Sequence, residues 1–261
     1  MKTMFFISIL IYAVAVALQF AATAFKKEAL ARWAWLLFLL AFAVHSAFLV
    51  VRGIAAGRLP LSNQFEFSCA FAWGIGLLLI FVRKRLRADW LSVAALPMLL
   101  LVMTYAALQP MEINDLMPAL RSAWFGIHIG SAVFSYASFI LAGCVGLRYL
   151  NTVKKGGEEL KLRQMDYLSY RLVAFGFLFL TVVILSGAIW AEQAWSAFWT
   201  WDPKEVWALI TWIIYAVYLH LRLRKRRSAS FMAWFVIIAV PVVFFTFAGV
   251  NTLLPGLHSY G

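Results

Sequence analysis

The stretch LVAFGFLFLTVVILSGAIWAEQAWSAFWTWDPKE, Leu172 to Glu205, decides what kind of chain this is. It opens with nineteen residues that carry no charge, enough to cross a hydrocarbon core as a helix. Four tryptophans then fall within twelve residues, at Trp190, Trp195, Trp199 and Trp201. The stretch closes on a helix-start signal. Asp202 suits an N-cap, Pro203 the first helical position, and Glu205 completes a capping box.

The rest of the chain repeats the pattern. Of 261 residues, 64% are hydrophobic and 13% charged, and the mean hydropathy is +0.86. A soluble domain runs nearer half apolar, so the bilayer must act as part of the solvent. The spacing predicts an all-α membrane bundle of eight helices, over 4–25, 33–51, 67–82, 90–108, 123–147, 172–190, 206–221 and 231–250. The third and seventh are short and should extend into their flanks. Asn63 and Glu66 offer the third helix a start signal of the same kind as Asp202 and Glu205. The first apolar run has no small-residue cleavage site behind it and reads as a retained helix. One membrane domain, 1–261, accounts for the whole chain.

The net charge of +12 would suggest a nucleic-acid partner in a soluble chain; here it reports topology, and no nucleic acid is expected. The loops 26–32, 83–89, 148–171 and 222–230 hold 18 Lys and Arg, against five on the opposite face. By the positive-inside rule the first set is cytoplasmic. Both termini and the tryptophan motif at 190–205 then face outward.

Cys69 and Cys144 lie in apolar segments outside any CxxC pair, and read as inert packed thiols. The four histidines are His45, His128, His220 and His258. On this topology His128 and His258 share the outer face with the tryptophans. His45 and His220 lie within helices. Intramembrane ionisable groups usually mark function, yet a single imidazole is as readily a hydrogen-bonded structural residue. Two pairs at two depths point to two bis-imidazole sites. Haem iron takes His as axial ligand and needs a flat aromatic surround. The tryptophans are open to two readings, a porphyrin shelf or an interfacial aromatic belt.

At these residues the chain resembles the CcsA/ResC family of system II cytochrome c maturation, within the WWD-domain haem-handling superfamily. The resemblance is carried by GAIWAEQAWSAFWTWDPKEVWALITWIIYAVYLHLR (187–222), GRLPLSNQFEFSCAFAW (57–73), WFGIHIGSAVFSYASF (124–139) and GVNTLLPGLH (249–258). It implies that Trp190, Trp195, Trp199, Trp201 and Asp202 hold haem b, with His128 and His258 as outer axial ligands. His45 and His220 would be a transmembrane ligand pair. The implied function is to carry haem across the membrane and present it for attachment to the CxxCH motif of an apocytochrome c. The chain would then be a subunit of a holocytochrome c synthase (haem lyase), acting with a separate ResB/CcsB-type membrane partner. The implied location is a bacterial plasma membrane, or a thylakoid if the source is a plastid. Ser196 departs from the glycine that family members often carry there. Two related roles also fit the motif: a HemX-like regulator of haem synthesis and a CcmC-type system I delivery protein. An unrelated small-molecule transporter would leave the tryptophans unexplained. Arg52, Arg58, Arg121 and Lys204 are candidates to pair with haem propionates, and each reads equally as an ordinary interfacial charge.

Overall fold

The computed structural model describes residues 1–86, 88–224 and 227–254, and all regular structure among them is helical. Eight segments are long and apolar enough to cross a membrane, in the order the sequence predicts. The chain divides into two compact units, Met1–Asp115 and Leu116–Gly261.

The N-terminal unit holds α1 (Lys2–Phe25), α2 (Glu28–Ala56), α3 (Gln64–Leu86) and α4 (Ser92–Ala107). Helix α1 packs on α2 and α4, and α3 packs on α2 and α4. Phe5, Tyr12, Phe38, Phe48 and Phe65 fill its core. Helix α3 starts three residues earlier than its apolar run, because the Asn63 side chain accepts the Glu66 amide at 2.9 Å.

The C-terminal unit holds α5 (Ala123–Lys154), α6 (Glu159–Trp195), α7 (Pro203–Leu223), α8 (Ala229–Phe244) and the short α9 (Val250–Leu253). Helices α5 and α6 form a long hairpin of 32 and 37 residues. At 1.5 Å per residue they reach about 48 and 56 Å, well past a hydrocarbon core of about 30 Å. Helix α8 lies so close on α5 that a Cβ at Gly146 would stand 2.8 Å from the Ala233 carbonyl oxygen. Such backbone approach through small residues is how helices associate in lipid. Between α8 and α9 the chain takes one π-helical turn, Phe245–Gly249, after Pro241 interrupts the backbone ladder. Its Thr246 hydroxyl meets that of Thr211 on α7 at 2.9 Å.

One expectation about the tryptophan loop is corrected. The spacing of Trp195 and Trp199 suggests a shared face on a short surface helix. Instead α6 continues to Trp195 and stops at Ser196, whose left-handed backbone (φ 56°) caps it. Residues 197–202 are irregular, so the two indoles lie on different elements.

Candidate functional site

The ends of α5 and α6, around residues 122–128 and 183–195, bring three of the sequence-predicted residues together, His128, Trp190 and Trp195. Ser122 caps α5 by accepting the Trp124 amide, and its hydroxyl donates to Gln193 Oε1 on α6 at 2.7 Å. That tie sets the register of the hairpin at this end. On α6, Val183, Gly187 and Trp190 follow one another at i, i+4 and i+7, which places them on a single stripe. Phe125 and His128 of α5 lie against that stripe, with ring centroids 5.2 and 5.9 Å from Trp190.

His128 is partly buried, and its Nδ1 lies 2.8 Å from the Val183 carbonyl oxygen. A carbonyl can only accept, so Nδ1 is the protonated nitrogen. In the neutral ring the lone pair is then on Nε2. Metal-binding histidines almost always hold the other ring N–H on a carbonyl or carboxylate in this way. The residue therefore fits an axial ligand.

Trp190 is 1% exposed, packed with Leu120 and Phe125 and flanked by Trp195. It supports His128 from within the unit. Trp199 and Trp201 stand outside that cluster with perpendicular rings 5.9 Å apart, and Trp201 is 69% exposed. Trp201 has a left-handed backbone (φ 58°), a strained state for a bulky residue. What imposes it is the start of α7. The Glu205 carboxylate accepts the amides of Thr200 and Asp202 at 2.8 and 3.2 Å, while Asp202 accepts the Lys204 amide at 2.9 Å. The capping box read from DPKE is present in full. Asp202 is buried by that role.

The basic candidates separate by what they touch. Arg52 and Arg58 both pair with the buried Glu66, at 2.9 and 2.8 Å. Arg52 also donates to the carbonyls of Met111 and Glu112, and Arg58 to that of Asn114. These two are committed to the N-terminal unit's own loop, which corrects their reading as propionate partners. Lys204 Nζ donates to Asn251 of α9 at 2.7 Å. Arg121 is exposed, just ahead of α5.

His45 is fully buried in the N-terminal unit, with the Tyr12 hydroxyl 3.4 Å from its Nδ1. Its Nε2 makes no hydrogen bond of normal geometry, although the backbone of Cys69 lies beside the ring. A buried imidazole nitrogen without a partner fits a ligand position better than a structural one. His220 is exposed in the last turn of α7, in the C-terminal unit. His258 lies outside the described residues. Cys69 and Cys144 are free and buried, as expected of packed thiols.

Sequence reasoning did not single out Val183, Gly187 or Asn251, nor the ion-pairing role of Glu66. A signal for the first two was present. A glycine between a valine and a tryptophan on one helical stripe marks a place where something lies close to the backbone.

A polytopic helical membrane protein with a tryptophan-rich motif, whose first indole packs against a hydrogen-bonded histidine, defines the class. Comparison with known proteins makes it specific. A family model described as Cytochrome C assembly protein matches residues 61–258. The chain is 35% identical to the cytochrome c biogenesis protein CcsA of Prochlorococcus marinus (strain MIT 9303), over 87% of this chain and 83% of that protein. It is 38% identical to CcsA of Chlamydomonas reinhardtii, over 82% of this chain and 64% of that one. The chain belongs to the CcsA family of cytochrome c assembly proteins. Among solved structures, the cytochrome c haem lyase CcmF shares the fold with a TM-score of 0.75 at 13% identity, covering 94% of this chain and 46% of that one.

Proposed function

We propose that this chain carries haem to the outer face of its membrane and presents it for covalent attachment to the CxxCH motif of apocytochrome c. Family membership sets the chain in cytochrome c biogenesis. The observation that carries the finer reading is the His128 imidazole, held by Val183 with its proton on Nδ1 and set against Trp190, the first indole of the tryptophan motif.

In this reading haem is cargo. His128 and His258 supply the two outer axial ligands, and His45 and His220 serve as axial ligands within the membrane. Trp195, Trp199 and Trp201 cover the macrocycle and exclude water, with Trp190 behind His128. Asp202 acts through the loop, as the N-cap that shapes the turn carrying Trp201. Arg121 is the exposed cation nearest in sequence to His128 and takes over the propionate role read earlier for Arg52 and Arg58. A ResB/CcsB-type membrane protein is the partner, and the apocytochrome supplies the two thiols. The chain's own cysteines, buried and unpaired, take no part. Release requires that one axial histidine give way to the CxxCH histidine, so ligation by neutral imidazoles suits a reversible hold.

The test is the absorption spectrum of the detergent-purified protein, wild type beside a His128→Ala, His258→Ala double variant. A bis-histidine haem spectrum that is lost or shifted in the variant is the expected result. An unchanged spectrum would overturn the outer-site assignment.

A further inference from the structure

The fit of His128 against α6 is closer than a helix pair ordinarily allows. A Cβ built on Gly187 would stand 2.7 Å from His128 Nδ1 and 2.8 Å from Cε1. Real side chains essentially never approach so closely, and the atom in the way is part of a rigid ring. Gly126 and Gly130 on α5 offer a contrast: a Cβ on either would meet nothing within 4 Å. Glycine inside a helix is less favourable than alanine. At Gly187 that penalty has a geometric return.

We propose that Gly187 is a positioning residue for His128, admitting the imidazole to the backbone of α6 so that the Val183 carbonyl fixes its tautomer and orientation. Three contacts act together. The missing Cβ leaves the space that the ring edge occupies. The Val183 carbonyl, one turn earlier on the same stripe, takes the Nδ1 proton at 2.8 Å. The indole of Trp190, just under one turn later, closes one side of the ring, tilted 34° to it. A methyl group at 187 would push the imidazole away from the carbonyl and toward the indole. The ring would then lose the hydrogen bond that holds the proton on Nδ1, and Nε2 would no longer be the defined lone-pair nitrogen. Because N–H donation to a carbonyl also raises the basicity of the opposite nitrogen, the same change weakens Nε2 as a ligand.

The tautomer and orientation follow from this chain's residues alone. The consequence for haem rests on the function proposed above. The experiment separates the two. The full-length protein, haem-free in detergent and labelled with 15N-histidine, is observed by NMR at mildly alkaline pH, with His128→Ala assigning the signal. Wild type and Gly126→Ala should show His128 protonated on Nδ1. Gly187→Ala should show a tautomer mixture or the Nε2-protonated form. After haem is added, Gly187→Ala should bind about 10- to 100-fold more weakly, the usual effect of removing an outer partner of a ligating histidine.

To separate the loss of the tautomer from a loss of folding, a second arm compares the melting of Gly187→Ala in the His128→Ala background. There the ring is gone, and Gly187→Ala should no longer destabilise. If the alanine destabilises equally with and without the imidazole, the proposal is overturned. It is also overturned if Gly187→Ala keeps the Nδ1–H signature of wild type. Wild-type protein that shows the expected tautomer but never binds haem would uphold the positioning and remove the haem reading instead.

Discussion

Arg52 of α2 and Glu66 of α3 meet through a 2.9 Å Nε–Oε1 hydrogen bond with 3% and 0% of their side chains exposed. Arg58 adds a second guanidinium to the same carboxylate, and Ser62 donates both its amide and its hydroxyl to it. One carboxylate faces two guanidiniums, and the excess positive charge is solvated by the backbone carbonyls of Met111, Glu112 and Asn114. The cluster therefore fastens the segment after α4 onto the ends of α2 and α3, all within the N-terminal unit.

Glu66→Gln should accordingly destabilise the protein severely. It leaves the shape of the side chain and removes the carboxylate that two buried or nearly buried cations share. Breaking a buried ion pair by losing one partner costs about 3–5 kcal/mol. Thermal unfolding in detergent should show a large fall in midpoint, and amide exchange should rise over 108–115. A variant that melts with wild type would show that the guanidiniums are solvated some other way.

Ser196 should be improved by glycine. Its φ of 56° ends α6 in the left-handed region, where an L side chain is strained by about 1–2 kcal/mol and glycine is the usual residue. Ser196→Gly should raise the unfolding midpoint by an amount corresponding to about 1 kcal/mol, and Ser196→Val should lower it. If neither moves, the cap contributes nothing to the stability of the unit.

The fold was legible because hydropathy counts residues, and counting suffices for eight spans. Helix ends were less so. The run 172–190 stops just short of the charged Glu192, but α6 continues through Ala191–Trp195, because backbone hydrogen bonding continues until Ser196, with its positive φ, breaks it. The start of α7 was legible to the residue, since Asp202, Pro203 and Glu205 each have a local role there. The site divides in the same way. His128, the indoles and Asp202 show in the sequence as residue types. Their neighbours do not, because a backbone carbonyl at Val183 and a missing methyl at Gly187 have no chemical signature until α5 is laid on α6. Arg52 and Arg58 stay open to two readings in the sequence for the mirror-image reason. A cation near the membrane surface invites an external anion, and only the fold reveals that Glu66, 14 and 8 residues away, already supplies one.

His45 should prove dispensable for folding. It is fully buried with an Nε2 that lacks a normal hydrogen bond, and an unsatisfied buried polar atom is a net liability of about 1–3 kcal/mol. His45→Phe combined with Tyr12→Phe keeps the rings packed with Phe48 and removes both that atom and the hydroxyl that Nδ1 partners. The haem-free protein should melt at or above the wild-type temperature. On the proposed function, in which His45 ligates haem, cytochrome c assembly in cells carrying the variant should fall. A variant that is less stable and fully active would reverse both statements and make His45 a packing residue.

Lys204 presents the sharpest choice between a structural and a ligand-binding role. It stands two residues after Asp202 at the start of α7, and its ammonium donates to Asn251 Oδ1 at 2.7 Å. Helix α9, which carries Asn251, is thereby tied to the helix that shapes the tryptophan turn. A hydrogen bond to a charged group contributes about 1.5–3 kcal/mol. If the tie is the lysine's main role, Lys204→Met and Asn251→Ala should destabilise by similar amounts, and the double variant should be hardly worse than either alone. Such non-additivity is the mark of a shared interaction. Haem retention should then fall equally in both single variants, since each releases the same contact. A lysine that holds a propionate would break that equality, with Lys204→Met losing haem much faster than Asn251→Ala at matched stability. The 2.7 Å contact favours the first outcome, because an ammonium already oriented on a neighbouring side chain has fewer donors to offer a carboxylate.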